Sequence, residues 1–335
     1  MEIYIFLAIV VLSFLVYLFD NIIIDKIWWM LVFFLLVYFL SNQGLLSPDR
    51  YRYIEYYVDT GMGIHEFVYE KGFMILNKYM YQVLGMQFNY VFDVYYIIMA
   101  GFFTLGFNYL ARMKREYMLV IPLFFANTIL PASIIIRQFT AIGVCLFSIN
   151  LFFKKRYVLF VILIIFTTFL HATAPAYLVA CLLFIFITHN FKLRYKVILT
   201  AFLGIGAFFG LKINYISRKI AAYTTANNIV DRNKFGLVMI LFFITLMLYI
   251  LYILFRKIKF KTEYEKFNLF MGILFFVIYI AFFNYGFMSR IAYYFQVFMY
   301  AALIDFIDLI KNKLVKIIFL LIYLLVALFI GLRIY

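Results

Sequence analysis

Residues 117–153 read YMLVIPLFFANTILPASIIIRQFTAIGVCLFSINLFF. Two apolar runs, 117–131 and 138–153, are joined by a break that starts at Pro131 and closes on Arg137-Gln138. Basic clusters bracket the pair: Arg112, Lys114 and Arg115 before it, Lys154, Lys155 and Arg156 after it. A helix that crosses the roughly 30 Å hydrocarbon core takes about 20 apolar residues, fewer where the bilayer is thin. Lys and Arg collect in short loops on the cytoplasmic side. The stretch therefore reads as a helical pair that enters the membrane from the cytosol and returns to it, with Arg137 at the far turn.

The same reading extends along the chain. Spans are predicted near 3–19, 27–41, 89–111, 117–131, 138–153, 157–170, 175–188, 197–211, 236–255, 267–283, 290–308 and 316–332. The fold class is all-α, a polytopic integral membrane protein of about 12 transmembrane helices. Composition agrees: of 335 residues, 68% are apolar and only 13% charged, where a soluble domain carries about 25% charge. The two cysteines, Cys145 and Cys181, sit inside apolar runs, so a secreted disulfide scaffold is excluded. Hydrophobicity excludes disorder, and continuous rather than alternating apolar runs exclude an outer-membrane barrel. The first run follows Met1-Glu2 without a basic n-region or small-residue cleavage site, so 3–19 reads as a span and not a cleavable signal. No repeat and no Pro-, Gly- or Ser-rich linker appears, which gives one transmembrane domain over 1–335.

The net charge of +15 is a topology signal here, not a nucleic-acid footprint. Lys26 and the clusters near 112–115, 154–156, 192–196, 256–266 and 311–316 hold 18 of the 30 basic residues and recur after every second span. They belong on the cytoplasmic side. The other side then receives two long loops, 42–88 and 212–235, and three short polar breaks, at Pro131–Gln138, at His171 and at Asn284–Arg290. Strict alternation puts both termini outside. Within the loops, Phe73, Leu76, Met80 and Leu84, and again Ile213, Ile216, Ile220 and Tyr223, fall at helical spacing beside cations. Such helices lie along the headgroup plane, or simply shield the bundle.

That gathering of polar residues has no structural necessity, so its members are the site candidates. Arg137 interrupts an apolar run at the mouth of a span, where a cation pairs or faces a cavity. Its guanidinium fork suits a phosphate; a snorkelling Arg is the bland alternative. His171, in Leu170-His171-Ala172-Thr173, is a base or polar contact, or else a satisfied structural histidine. Arg290 heads a span, where the helix dipole does not help a cation, and calls for an anionic partner. Asp49, Tyr53, Tyr56 and Tyr57 share one helical face, and tyrosines with carboxylates suit a carbohydrate; Glu66, Tyr69 and Glu70 follow. His65 and His189 have no comparable context. No His, Cys, Asp or Glu group has metal-ligand spacing. Asp305 and Asp308 are expected to be solvated at a cytoplasmic helix end, and the many Tyr and Phe to face lipid or form interfacial belts.

These residues resemble a family. Ser47-Pro48-Asp49 with Tyr53 and Tyr56, Tyr69-Glu70-Lys71-Gly72-Phe73, Ile136-Arg137-Gln138 with Ala141, Leu170-His171-Ala172-Thr173, and Arg290 with Tyr293-Tyr294-Phe295 look, in that order, like the EpsG family of bacterial exopolysaccharide polymerases, related to the Wzy type. The resemblance implies a GT-C-like glycosyltransferase bundle in the plasma membrane, with its active site on the external or periplasmic side. It implies undecaprenyl-pyrophosphate-linked oligosaccharide as donor and acceptor, membrane lipid around it, and a flippase and a chain-length regulator as partners, with no cofactor and no nucleic acid.

Such a reaction needs charge stabilisation for the departing pyrophosphate and a base for the attacking hydroxyl. Arg137 and Arg290 could supply the first without a metal, since no Asp-x-Asp pair is present. His171 is the first choice for the base, with Asp49 or Glu70 as alternatives or as sugar-orienting carboxylates. Gln138, Tyr53, Tyr56, Tyr293 and Tyr294 would contact sugar or phosphate. A lipid-linked glycan ligase would share this cationic site. A non-enzymatic flippase or transporter would instead line a path through the membrane with cations.

Overall fold

The protein is described here from a computed structural model, which covers residues 2–19, 21–45, 50–64, 71–188, 237–256, 260–282 and 290–334. Every element among them is helical: α1 (Glu2–Leu18), α2 (Ile22–Leu45), α3 (Arg50–Met62), α4 (Lys71–Gln82), α5 (Phe88–Met113), a 3-10 turn (Arg115–Leu119), α6 (Val120–Ile134), α7 (Ile136–Phe153), α8 (Tyr157–Leu170), α9 (Pro175–Thr188), α10 (Leu237–Arg256), α11 (Glu263–Ala281), a second 3-10 turn (Arg290–Ala292), α12 (Tyr293–Asp308) and α13 (Lys313–Ile334). Helices are what lipid demands, because each satisfies its own backbone hydrogen bonds. Five described stretches are long and apolar enough to cross a membrane: Ile22–Asn42, Phe88–Met113, Ile136–Phe153, Glu263–Ala281 and Arg290–Asp308. Other apolar helices are shorter, such as Tyr157–Leu170 and Pro175–Thr188. The expected span at 197–211 and the expected helix at 213–224 lie outside the described residues.

The chain divides into two compact units, residues 1–175 with 303–335, and residues 176–302. In the first, α5 packs closely against α7. A Cβ on Gly106 would stand 2.6 Å from Cγ of Leu146, and one on Gly143 3.3 Å from Cβ of Phe102. Small residues let helix backbones approach in a membrane, where no hydrophobic force draws helices together. In the second unit, Phe267 meets Phe184 and Phe298 edge-on, at 5.0 and 5.2 Å between ring centres. Gly272 lets α11 approach Cα of Met299.

The rings are therefore not mainly a lipid-facing belt. Tyr96, Tyr117, Phe103, Phe107 and Phe124 of the first unit, and Tyr177, Tyr249, Tyr294 and Tyr300 of the second, are fully buried. A Tyr whose hydroxyl finds a partner can sit in a membrane bundle at little cost. Tyr96 donates to the Ser133 carbonyl at 3.1 Å and Tyr117 to Asp305 at 2.8 Å.

Asp305, expected to be solvated, is only 2% exposed, and it takes Lys114 Nζ at 2.8 Å. Lys114 also meets Asp308 at 3.0 Å. Lys316 in turn bridges Asp308 and Glu116, the latter at 3.1 Å. Beside this chain, Arg115 pairs with both carboxylate oxygens of Asp25 at 3.1 Å. It also donates to the carbonyls of Val16, Tyr17 and Phe19 at the end of α1. Those carbonyls have no helical partner and carry the negative end of the dipole, so a guanidinium is their natural cap. Three of the connections that the charge pattern assigns to one side, near 20–26, 112–116 and 309–316, are thus tied together.

A buried ion pair broken on one side leaves an uncompensated charge, at a cost of about 3–5 kcal/mol. Lys114→Met should lower the stability of the protein in mixed-micelle denaturation by about 3 kcal/mol. Lys114→Met combined with Asp305→Leu should recover most of that loss.

Candidate functional site

The break between α6 and α7 is a single residue, Ile135, at φ −100° and ψ 58°. It places Arg137 in the first turn of α7. A cation there opposes the helix dipole, so it needs another environment, and aromatic faces supply it. The Arg137 guanidinium carbon lies 5.2 Å from the ring centre of Phe73 and 5.5 Å from that of Tyr53. Ring quadrupoles attract a cation at such distances by about 0.5–2 kcal/mol, more as water is excluded.

The rings come from three helices. Tyr53, Tyr57 and Thr60 form the buried stripe of α3, with Gly61 beside it. Gly61 leaves no room for a Cβ, which would stand 2.2 Å from the Tyr81 ring of α4. Phe73, Asn77 and Met80 form the buried stripe of α4. Of the expected apolar face, Phe73 and Met80 turn inward onto protein, as in a helix that shields the bundle, while Leu84 lies beyond the helix and is exposed. The other side of α4 shows Ile75 and Tyr79, with Lys71 and Lys78. On α5, Tyr95 stacks on Phe73 at 5.0 Å and 27°, and Phe92 meets Tyr53 edge-on at 6.1 Å.

Polar atoms fix this cluster. The Tyr95 hydroxyl donates to Oδ1 of Asn77 at 2.9 Å. The Tyr57 hydroxyl donates to the Met86 carbonyl at 2.6 Å. Burial pushes the Tyr57 phenol above its ordinary value, and the neighbouring Tyr81 adds to that, so it stays a donor. Arg50, at the head of α3, lies 4.7 Å from the Phe92 ring centre and donates to Asn89 at 2.9 Å. Two guanidinium groups therefore flank one aromatic cluster. Tyr53, Tyr57, Phe73, Asn77, Phe92, Tyr95 and Ile136 line a recess within it.

His171 ends α8, with its N–H on the Thr167 carbonyl at 3.0 Å. Its Nδ1 lies 2.7 Å from the Thr173 hydroxyl and 3.4 Å from the Thr173 amide. Thr173 thus engages Nδ1 through both its hydroxyl and its amide. The helix end beside His171 packs on α4: a Cβ on Gly72 would stand 2.8 Å from Cβ of Phe169 and 3.0 Å from its carbonyl oxygen. Gly72 precedes Phe73, so the first turn of α4 touches the end of α8 on one side and carries a ring under Arg137 on the other.

The structure thus brings Arg137 and Tyr53 into contact and seats His171 beside the same short helix. Gln138 is buried, 1% exposed, in α7, and Tyr56 is half-buried on α3. Asp49, Glu70, His65 and His189 lie outside the described residues. Arg290 opens the 3-10 turn of the second unit, followed by half-buried Tyr293 and buried Tyr294. Among the described residues no three His, Cys, Asp or Glu converge as metal ligands. Arg50, Asn77, Phe92 and Tyr95 were not among the expected site residues. The signal for Asn77 was an amide on the apolar stripe of an amphipathic helix.

Residues 26–334 match the EpsG family. No curated protein and no solved structure matches the chain. The match spans nearly the whole sequence, and the chain belongs to the EpsG family, a membrane family of polysaccharide biosynthesis.

Tyr95→Phe would leave the Asn77 carbonyl buried without its phenol donor, at a cost of about 1–3 kcal/mol. The thermal midpoint in detergent should fall accordingly, and Tyr90→Phe, at an exposed position on the same helix, should not change it.

Proposed function

We propose that this member of the EpsG family is a polymerase of oligosaccharide repeat units carried on undecaprenyl pyrophosphate. It works at the outer face of the bacterial plasma membrane, in a bundle of the GT-C kind. The observation that supports the reading is the first turn of α4, where Phe73 lies under the Arg137 guanidinium and Gly72 packs on Phe169, two residues before His171.

The chemistry follows from those two groups. An acceptor hydroxyl oxygen attacks the anomeric carbon of the donor, and a new C–O bond forms. The bond from that carbon to the diphosphate oxygen breaks, and its electron pair leaves with the lipid diphosphate. Arg137 binds the growing negative charge in fork geometry. Arg290 takes the same kind of role from its sequence context. The hydroxyl proton passes to the imidazole of His171. The hydroxyl and amide of Thr173 engage its Nδ1, which makes Thr173 a positioning residue for the base. Asp49 and Glu70 serve as sugar-orienting carboxylates, and Tyr53, Tyr56, Gln138, Tyr293 and Tyr294 as sugar or phosphate contacts.

The test is chain growth by the purified protein on synthetic undecaprenyl-pyrophosphate repeat units, read as a ladder on a gel. Arg137→Ala and Arg290→Ala should each slow growth by about 10²–10³-fold, and His171→Ala by about 10²–10⁴-fold, with normal membrane insertion. A wild-type ladder from His171→Ala removes it from the mechanism. A single transfer to a different acceptor, with no ladder, means a ligase.

The Thr173 hydroxyl orients the imidazole, so Thr173→Val should lower kcat about tenfold and Thr173→Ser should restore most of it. A merely structural Thr173 would leave the pH profile of Thr173→Val like that of the wild type. A positioning role shifts its acidic limb, where the base loses its proton.

A further inference from the structure

Two outer surfaces meet at Gly72. On α8, Val158, Ile162, Ile165 and Phe169 are exposed at helical spacing, so this apolar helix turns one stripe away from the protein. In a membrane protein, acyl chains are what such a stripe meets. The stripe ends at Phe169, and His171 closes the helix. There α4 begins: a Cβ on Gly72 would stand 2.8 Å from Cβ of Phe169. The first turn of α4 therefore lies at the depth where acyl chains give way to headgroups. The outer side of α4 has the residues for that depth. Lys71, Ile75, Lys78, Tyr79 and Gln82 share one face and are all exposed, Ile75 at 64% and Tyr79 at 51%. This is not the face that apolar periodicity picks out, since Phe73 and Met80 turn into the protein. An aliphatic side chain and a ring set between two ammonium groups suit a helix in the interface: the apolar pair reaches past the headgroups, and the lysine stems keep Nζ among the phosphates. Among the described residues no carboxylate pairs with either lysine, whereas Lys114 and Lys316 are neutralised by Asp305, Asp308 and Glu116. Val83 and Leu84 carry the exposed apolar surface on past the end of the helix.

We propose that the outer face of α4 is a docking surface for anionic phospholipid. The lysine ammonium groups receive the lipid phosphates, and Ile75 and Tyr79 lie against the upper acyl chains. Lys71 and Lys78 are separated by about 10 Å along the helix axis, so each engages its own headgroup, and the face selects a patch of lipid rather than a single molecule. The inference does not rest on the polymerase reading.

The test reads which lipid stands beside the face. The native Cys145 and Cys181 are buried, so a thiol-reactive bimane on Ile75→Cys reports that position. The full-length protein is reconstituted in phosphatidylcholine vesicles that hold the same mole fraction of either brominated phosphatidylglycerol or brominated phosphatidylcholine, whose bromines quench the probe on contact. Each lysine near the surface favours anionic lipid by about fivefold, so the phosphatidylglycerol should quench as though it were at least about fivefold enriched. Combining Lys71→Gln and Lys78→Gln should abolish the enrichment, while brominated phosphatidylcholine still quenches through the apolar contact. A probe on Ile165→Cys of α8 should be quenched equally by both lipids. Equal quenching at Ile75→Cys, enrichment that survives the paired glutamines, or the same enrichment at Ile165→Cys overturns the proposal. Quenching by neither lipid, with disulfide cross-linking between copies of Ile75→Cys, makes the face a protein interface and overturns it too. Loss of the enrichment on adding undecaprenyl phosphate equimolar with the protein assigns the face to a polyprenyl lipid instead. Should Ile75→Cys fail to fold, Tyr79→Cys gives the same readings.

Discussion

A guanidinium at the mouth of a membrane helix has to be received by something, and hydrocarbon is the wrong medium for it. Arg137 sits in the first turn of α7, where the dipole repels it, and two ring faces take it up. Much of the first unit is arranged to deliver those rings. α3 and α4 are drawn together at Gly61, where a side chain would enter the Tyr81 ring. α4 meets the end of α8 at Gly72. α5 brings Tyr95 and Phe92 underneath and is itself locked to α7 through Gly106 and Gly143. The cation and the rings thus come from helices that are pinned to one another.

The acidic side chains tell the complementary story. Asp25, Glu116, Asp305 and Asp308 each meet a Lys or Arg of the basic connections. The pairing neutralises part of a strongly cationic chain where three of those connections converge. The aromatic cluster is different: its guanidinium groups are set against rings. Rings steady a cation without adding an opposite charge.

Among the described residues, sequence periodicity and apolar length were enough to reveal the helices and their order. Apolar length and the positive-inside rule are local signals, readable within one span and its flanks. Candidates such as Arg137 and His171 were visible for the same reason, as polar residues where structure asks for none. What stayed hidden is long-range. Lys114 and Asp305 are 191 residues apart, and without a partner in view Asp305 reads as one more solvated helix end. Of the stripe read as Phe73, Leu76, Met80 and Leu84, only Phe73 and Met80 fall on the buried side with Asn77, and periodicity cannot say whether a stripe faces lipid or protein. Tyrosine was the most misleading letter. Its ring suits an interfacial belt and a buried core alike, and only the whereabouts of a hydroxyl partner separates them.

The helix α4 is a rod of twelve residues with two occupied sides. Inward it carries Phe73 and Asn77; outward it shows Ile75, Tyr79 and two lysines. Nothing so short can take a push on one side without passing it to the other. A load carried on Ile75 or Tyr79 is therefore felt by the rings on the inner side.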